Sequence, residues 1–481
     1  MSHTTAIPTR SFGFYLNGNW VTHGRDVVVT SPYDHSVVAV VYEADRDHVE
    51  AAIESAARAF STTRRLTSYQ RARILQKITD GIDARREEFA RTICQEAGKP
   101  IKTARIEVDR AINTFQIAAE ESTRIYGEYI PLDTLESTAG RWGLLRRFPL
   151  GPVFAITPFN FPLNLVAHKV APAIAAGCPL ILKPAPQTPV SSLLLAEIVH
   201  ESGWPEGAFA VMPLSNENAA LLIADDRIKL LTFTGSASVG WQLKAKAGKK
   251  RVTLELGGNA AVIVHSDSDL AHAAQRSVAG GFSYAGQTCI SVQRILVHRP
   301  AFDKFTGLLV ERVGKLKVGD PMLEDTDVAP LIRQQDAIRV REWIEEAVRG
   351  GAKVLCGGGC NGSMVEPTVL TGTSSNMRVN CAEIFGPVVT VEPYDEFSEA
   401  VHQVNASPYG LQAGVFTRDA LLIQMAFEEL EVGGVIAGDV PSFRVDQMPY
   451  GGVKDSGSGR EGLRYSIEDM TERKLLVMGL K

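Results

Sequence analysis

Between residues 153 and 254 short apolar runs recur with helical stretches between them, and this alternation constrains the fold more than any other feature. Residues 153–157, 180–182, 208–212, 230–233 and 252–254 form the runs. Segments that short, apolar on both faces, suit strands of a buried parallel sheet, and helical stretches ending near 176 and spanning about 189–202 suit its crossovers. Right-handed crossovers then give a doubly wound α/β domain. A second series follows Gly257, with runs at 260–264, 295–298, 352–355 and 388–392, and predicts a second α/β domain. A chain of 481 residues is too long for one core, so two or three domains are expected.

The part before this alternation reads as helical. Val49, Ile53, Ala56, Ala57 and Phe60 recur at helical spacing after Asp45. A second helix is expected from Ser68 through Ile74, Leu75, Ile78, Ile82 and Phe89, ending at Gly98-Lys99-Pro100. A third carries Val108, Ile112, Phe115 and Ala119. Residues 129–150 lack helical periodicity and read as a hairpin leaving the first sheet. Residues 474–478 read as a strand without a partner nearby. Two orphan elements of this kind suit edge addition between subunits, so a homo-oligomer is expected.

Composition excludes several classes. Hydrophobic residues make up 45% and charged residues 22%, which is globular rather than disordered. The net charge of −5 is spread without a basic run, so no nucleic-acid partner is expected. Pro162 to Pro184 is the most apolar region, but His168, Lys169 and several prolines interrupt it, so no membrane span is expected. The N-terminus lacks an apolar leader, and the six scattered cysteines form no disulfide framework; both point to the cytoplasm. Cys356 and Cys360 flank three glycines without a further His or Cys pair, and no metal site is expected.

Three residues stand out chemically. Cys289, in GFSYAGQTCISVQR, sits among small polar residues after glycine-containing turns. It is either a nucleophile or one more small buried hydrophobe. Glu255, in VTLELGGNAAVIV, lies between two leucines at a strand end. It is either a carboxylate used in chemistry or an edge-strand glutamate in solvent. Asn160, in AITPFNFPLN, follows a buried strand, where α/β proteins place their sites. Its amide suits a developing oxyanion, and equally a loop cap.

The strings TPFNFP, LKPAPQTP, LTFTGSASVG, ELGGN, GQTC, EIFGPV and PYGGVKDSGSGREG, with LNGNW near the start, occur in one order from about Asn17 to Glu461. In that order, and with Cys289 following Glu255 at the family's spacing, the chain resembles the aldehyde dehydrogenase superfamily. The resemblance implies two doubly wound α/β domains plus a small β oligomerisation element. It implies a cofactor-binding domain at 1–124 and 145–254, a catalytic domain at 255–445, and oligomerisation strands at 125–144 and 465–481. It implies NAD(P)-dependent oxidation of an aldehyde to a carboxylate, and a homodimer or homotetramer. Cys289 is then the nucleophile, Glu255 the general base and Asn160, with the Cys289 backbone N–H, the oxyanion hole. Thr157, Pro158, Lys183, Gly235, Ser236, Gly257, Glu383 and Phe385 would hold NAD or NADP: Lys183 at the adenosine ribose, Gly235 and Ser236 at a helix start facing the pyrophosphate, Glu383 at the nicotinamide ribose, and Phe385 beside the ring. Helix N-terminal amides suit a pyrophosphate on physical grounds as well.

The pattern departs from the family where a ribose-binding glutamate often stands three residues after the lysine. Here that residue is Pro186. Without a carboxylate to repel a 2′-phosphate, NADP is permitted beside NAD. The strings around Arg110 and Arg444 resemble the branch handling small hydroxy- or anion-bearing aldehydes, so Arg110, Thr288 and Arg444 are expected at the substrate. Arg110 has an alternative as an exposed pair with Glu107 one turn earlier, and Arg444 one as a surface loop residue. Phosphate- and phosphonate-using relatives tend to carry Arg where this chain has Thr288, which favours a monoanionic or neutral substrate. Two rival functions follow from the same strings: a coenzyme A-acylating semialdehyde dehydrogenase, and a non-catalytic protein that kept the fold. Glu255 argues against the first, and the joint presence of Cys289, Glu255 and Asn160 against the second.

Overall fold

A computed structural model describes residues 10–479. The expected leaderless N-terminus and the outer limits of the first and last expected segments lie outside the described residues. The central alternation folds as a parallel sheet, with the strands Arg251–Glu255, Leu230–Thr234, Val153–Ile156, Leu180–Lys183 and Phe209–Val211 side by side. Every residue of the helix Asn164–Ala176 is buried, as a crossover packed on both sides requires. Val153–Ile156 is the switch point: its successor in sequence, Leu180–Lys183, lies on one side and Leu230–Thr234 on the other. Ligands of open α/β sheets bind at the carboxyl end of such a strand. Thr157, Pro158 and Asn160 follow it directly.

The second sheet has seven strands, in the order Lys353–Cys356, Thr368–Thr371, Val388–Tyr394, Val292–His298, Ala260–Val264, Gln412–Phe416 and Gly434–Ala437. Only the edge strand Lys353–Cys356 is antiparallel to its neighbour. Ala260–Val264 is its switch point, and Gly257, Gly258 and Asn259 lead into it from Glu255 at the end of the first sheet. One short turn therefore joins the two sheets.

Several expectations need correction. The first part is not helical throughout: the strands Arg10–Phe12, Phe14–Leu16, Asn19–Val21, Arg25–Thr30 and Val37–Glu43 precede the first helix, Arg46–Thr63. Three of them are only three residues long, while Arg25–Thr30 and Val37–Glu43 do carry apolar runs, Val27–Val29 and Val37–Tyr42, that the helical reading passed over. Phe14–Leu16 and Asn19–Val21 extend the first sheet antiparallel. The helix expected from Ser68 to Gly98 is two, Ser68–Ala84 and Arg86–Ala97, broken at Arg85 (φ −111°, ψ 21°). Both bury one continuous stripe, which hides the break from periodicity. Arg85 instead reaches Glu88 at 2.8 Å and Glu197 at 2.7 Å.

The C-terminal strand is not an orphan. Thr471–Gly479 pairs antiparallel with Arg141–Pro149, from Thr471 opposite Pro149 to Gly479 opposite Arg141, and Glu128–Pro131 completes a three-stranded sheet. The partner lies more than three hundred residues earlier, so no local signal reveals it. Arg141–Pro149 also runs across the expected boundary at 144–145, and residues 465–469 belong to the helix Leu463–Asp469 rather than to a strand. Beyond 445 the chain returns to the first sheet, where Gly457–Ser458 pairs with Arg251–Glu255.

A buried ion pair supports the first switch point. Lys99 and Glu107 are fully buried against each other, with the Lys99 ammonium 3.6 Å from the centre of the Phe161 ring. Glu107 also accepts the N–H groups of Leu163 at 2.9 Å and Asn164 at 3.1 Å. It thereby satisfies the amides that open the helix after Asn160. No helix among the described residues is long and apolar enough to cross a membrane.

Candidate active site

Glu255 closes the strand Arg251–Glu255 and is 2% exposed. Neither carboxylate oxygen has a hydrogen-bond partner. An edge-strand glutamate in solvent is thus excluded. Gly451 (φ 154°) passes so close that a Cβ there would sit 2.9 Å from Oε1. Burial, with the neighbouring charge of Glu461, raises the Glu255 carboxyl well above the usual carboxylate range; Lys169, Arg444 and Arg460 offset this only in part.

Glu461 is equally buried and behaves oppositely. It is ion-paired to Lys169 and accepts a hydrogen bond from Arg444 Nη2 at 3.1 Å. Burial alone would raise its carboxyl, but those two cations hold it below the ordinary range. Two neighbouring carboxyls with opposed shifts mark a division into a proton-holding and a charge-holding group.

Cys289 follows a strained loop. Tyr284 (φ 49°), Ala285 (φ 52°) and Gly286 (φ 69°) are all left-handed, and a Cβ on Gly286 would lie 2.1 Å from the Gly386 carbonyl oxygen. Only glycine fits there. Cys289 is partly exposed, and its Sγ lies 3.0 Å from the Tyr450 hydroxyl. Burial pushes the thiol up to about 11, against the pull of Tyr450 and Arg444; Glu383 and Glu255 add to the rise. Gly258 is required beside it, because a Cβ would meet the Cys289 carbonyl oxygen at 2.4 Å. Asn160 reaches this loop too: its Nδ2 donates to the Gln287 carbonyl at 2.9 Å, while Oδ1 is buried without a partner. The amide is therefore not wholly free, as an isolated oxyanion donor would be: one of its N–H groups is used by Gln287, two residues before Cys289.

The residues expected at the dinucleotide surround the same junction. Thr157 N–H donates to the Lys183 carbonyl at 3.2 Å, aligning the two strand ends, with Pro158 next in line. Lys183 is buried, which lowers its ammonium despite the nearby charge of Glu43. Gly235 N–H donates to the Glu255 carbonyl at 3.0 Å. Ser236 stands at the N-cap of the helix Ala237–Lys246 without a side-chain capping bond, so the first-turn amides stay available to an anion. Glu383 accepts from Gly258 N–H at 3.0 Å, and burial raises its carboxyl to about 7 despite that bond. A Cβ on Gly257 would collide with this carboxylate at 2.2 Å. Phe385 (φ 48°) packs edge-on against Phe159, ring centres 6.0 Å apart. A free helix start at Ser236, the buried ammonium of Lys183 and the half-buried carboxylate of Glu383 are groups of the kind that pyrophosphate and ribose hydroxyls need.

Of the residues expected at the substrate, Arg110 and Arg444 line an open cleft of about 640 Å³ with Arg124, Asp109, Glu120, Glu121 and Asp446, and Thr288 does not line it. Arg110 does not pair with Glu107, which faces Lys99; its Nη2 donates to Asp446 Oδ1 at 2.7 Å. Arg444 is no surface residue: its side chain is 7% exposed and its guanidinium lies 3.7 Å from the centre of the Tyr450 ring. The Nε of each arginine is buried without a partner. Thr288 sits partly exposed before Cys289, and no side-chain bond fixes it.

His168, Lys169, Asp446, Tyr450 and Glu461 were not singled out from the sequence as site residues. His168 Nε2 donates to Asp446 Oδ1 at 3.0 Å, and its Nδ1 is buried without a partner. The available signal was His168-Lys169 itself. A charged residue inside an otherwise apolar helix must face a partner.

The model of the aldehyde dehydrogenase family matches residues 20–476. The chain belongs to the aldehyde dehydrogenase family. It is 44% identical over 480 residues to a 3-sulfolactaldehyde dehydrogenase of Priestia aryabhattai, covering 99% of this chain and all of that protein. An aldehyde dehydrogenase of Physcomitrella patens, solved with the reaction product succinate, superposes with a TM-score of 0.97 at 46% identity, covering 98% of this chain and 99% of that one. A glyceraldehyde-3-phosphate dehydrogenase of Methanocaldococcus jannaschii, solved with NADP, gives 0.92 at 37% identity, covering 95% and 100%. This aldehyde dehydrogenase is accordingly an enzyme that oxidises an aldehyde with NAD or NADP, on an α/β fold of two doubly wound domains.

The buried Glu255 carboxyl has a measurable consequence. A carboxyl whose folded-state pKa is raised destabilises the fold once pH exceeds its unfolded value, because the chain must ionise a buried group or keep its proton. Below that value the cost vanishes. Glu255→Gln should therefore raise the melting temperature at pH 8 by more than at pH 5. An equal shift at both pH values would show that Glu255 is not raised.

Proposed function

We propose that this aldehyde dehydrogenase oxidises a small, monoanionic aldehyde, hydroxylated or not, through a thioester on Cys289 that Glu255-activated water hydrolyses. The observation that carries the substrate reading is that two arginines, Arg110 and Arg444, line one cleft. Arg110 is matched by Asp446, and Arg444 shares Glu461 with Lys169, so two cations meet one carboxylate at the inner end of the cluster. The relatives named for sulfolactaldehyde and the structure holding succinate handle anionic small molecules, which supports the same class.

The chemistry follows from the groups present. The Cys289 thiol gives its proton to solvent water, and Sγ attacks the aldehyde carbon, forming a C–S bond as the carbonyl π bond opens to an alkoxide. The free N–H of Asn160 and the Cys289 backbone N–H stabilise that oxyanion. NAD or NADP, when bound, accepts the hydride. The carbonyl then re-forms as a thioester. Glu255 in its ionised form takes a proton from water, hydroxide adds to the thioester carbon, and the C–S bond breaks to release the acid and the Cys289 thiolate. A raised carboxyl suits a base that must bind a proton near neutral pH. Glu255 also favours water over coenzyme A as acceptor, and turnover needs no added thiol.

Lys183, Glu383, Phe385, Gly257 and the helix start at Gly235-Ser236 hold the dinucleotide in this reading, with Thr157 and Pro158 lining its path. Pro186 leaves either cofactor admissible. The first sheet with its helices forms the cofactor domain, the second the catalytic domain. The three-stranded sheet is the oligomerisation element: Leu475, Leu476 and Val477 on its outer strand are 47%, 52% and 48% exposed, an apolar edge that a second copy would cover.

Arg110→Ala and Arg444→Ala should each raise KM for succinic semialdehyde roughly ten- to hundredfold, as expected for losing a charge-assisted contact of about 1.5–3 kcal/mol, while the KM for propanal changes little. Equal effects on both aldehydes would make the arginines structural. Light scattering should give a dimer or larger mass at micromolar concentration, and Leu476→Lys should lower it. A monomeric native enzyme would overturn the role given to the outer strand.

A further inference from the structure

Tyr450 stands in the motif PYGGVKDSGSGREG, and neither the dinucleotide contacts nor the cleft arginines require its hydroxyl. That hydroxyl lies 3.0 Å from Cys289 Sγ. The side chain packs with Ile290 and Leu411 around Cys289, and is 3% exposed. Its backbone is fixed by a reciprocal pair of hydrogen bonds with Glu461, in which Tyr450 N–H donates to the Glu461 carbonyl at 3.0 Å and Glu461 N–H donates back. Glu461 in turn holds Arg444 and Lys169. The hydroxyl is therefore aimed by a rigid frame.

The direction of the bond depends on the state of the sulfur. A neutral thiol can donate to the phenol oxygen or accept from its O–H. A thiolate can only accept, and a hydrogen bond to an ionised acceptor is roughly twice as strong as a neutral one. The bond thus favours the ionised sulfur. The charged and titratable groups facing Cys289 are Arg444, Glu383, Glu255 and Tyr450, and the two carboxylates oppose ionisation. Burial and the neighbouring acids keep the phenol itself protonated well above its usual range, so it remains a donor at any working pH. The Arg444 guanidinium on the ring face, at 3.7 Å, draws electron density from the phenol and strengthens it as a donor.

We propose that Tyr450 is a positioning residue for the nucleophile: its hydroxyl donates to Cys289 Sγ, favours the thiolate, and links it through the stacked Arg444 to the anion end of the cleft. This rests on the reading of Cys289 as nucleophile. The sulfur–phenol bond can nevertheless be measured without turnover.

The test is the pH dependence of Cys289 alkylation by iodoacetamide, followed by mass spectrometry of the Cys289 peptide in the full-length enzyme. Tyr450→Phe keeps the ring beneath Arg444 and removes only the hydroxyl. It should move the midpoint of alkylation up by about one pH unit, which is roughly tenfold slower labelling below the midpoint. NADP binding, followed by tryptophan fluorescence, should be unchanged. Replacing Tyr450 with 3-fluorotyrosine, a stronger donor of nearly the same shape, should move the midpoint down. Unchanged midpoints in both variants would overturn the proposal, as would a downward shift in Tyr450→Phe. Loss of turnover in Cys289→Ser with these shifts intact supports both readings. Retained turnover in Cys289→Ser would remove the catalytic one alone.

Discussion

The buried contact between Glu461 and the cations Lys169 and Arg444 is the interaction on which the arrangement depends. Two carboxyls cannot both ionise cheaply in one desolvated space. Lys169 and Arg444 settle the matter by giving both of their charges to Glu461. Glu255, with neither oxygen partnered, is left as the group that holds a proton. The same Arg444 covers the Tyr450 ring and opens onto the cleft. One cluster therefore sets the carboxyl and shapes the surroundings of the sulfur.

Backbone placement makes that cluster possible. Glu255 ends a strand of the first sheet, and Gly257-Gly258 turns directly into the second. The turn cannot carry side chains, because Glu383 fills the space at Gly257 and the Cys289 carbonyl that at Gly258. Gly286 and Gly451 are constrained in the same way, one against the Gly386 carbonyl and the other against Glu255. Four glycines thus let the segments around Glu255, Cys289, Glu383 and Gly451 pack closely, against two carboxylates and two backbone carbonyls.

Much of this was legible in the sequence. The apolar runs between 153 and 254 gave their strands almost to the residue, since a buried parallel strand has a local signature. Cys289, Glu255 and Asn160 were distinguishable because each breaks its local context. What stayed hidden was non-local. The pairing of Thr471–Gly479 with Arg141–Pro149 joins distant segments, and three of the five N-terminal strands are only three residues long. Arg110 lies three residues after Glu107 on one helix, yet each turns to a partner that helical spacing cannot name: Glu107 to Lys99, and Arg110 to Asp446. His168-Lys169 was visible as a polar interruption, but only the fold shows that it reaches Asp446 and Glu461.

The separation of roles between Cys289 and Glu255 is the central claim, and the covalent intermediate tests it most directly. Glu255→Gln, mixed with NADP and succinic semialdehyde and quenched in acid, should be isolated with a succinyl group on the Cys289 peptide, and with reduced cofactor formed in equal amount. Recovery of unmodified Cys289 together with continuing formation of reduced cofactor would contradict the account.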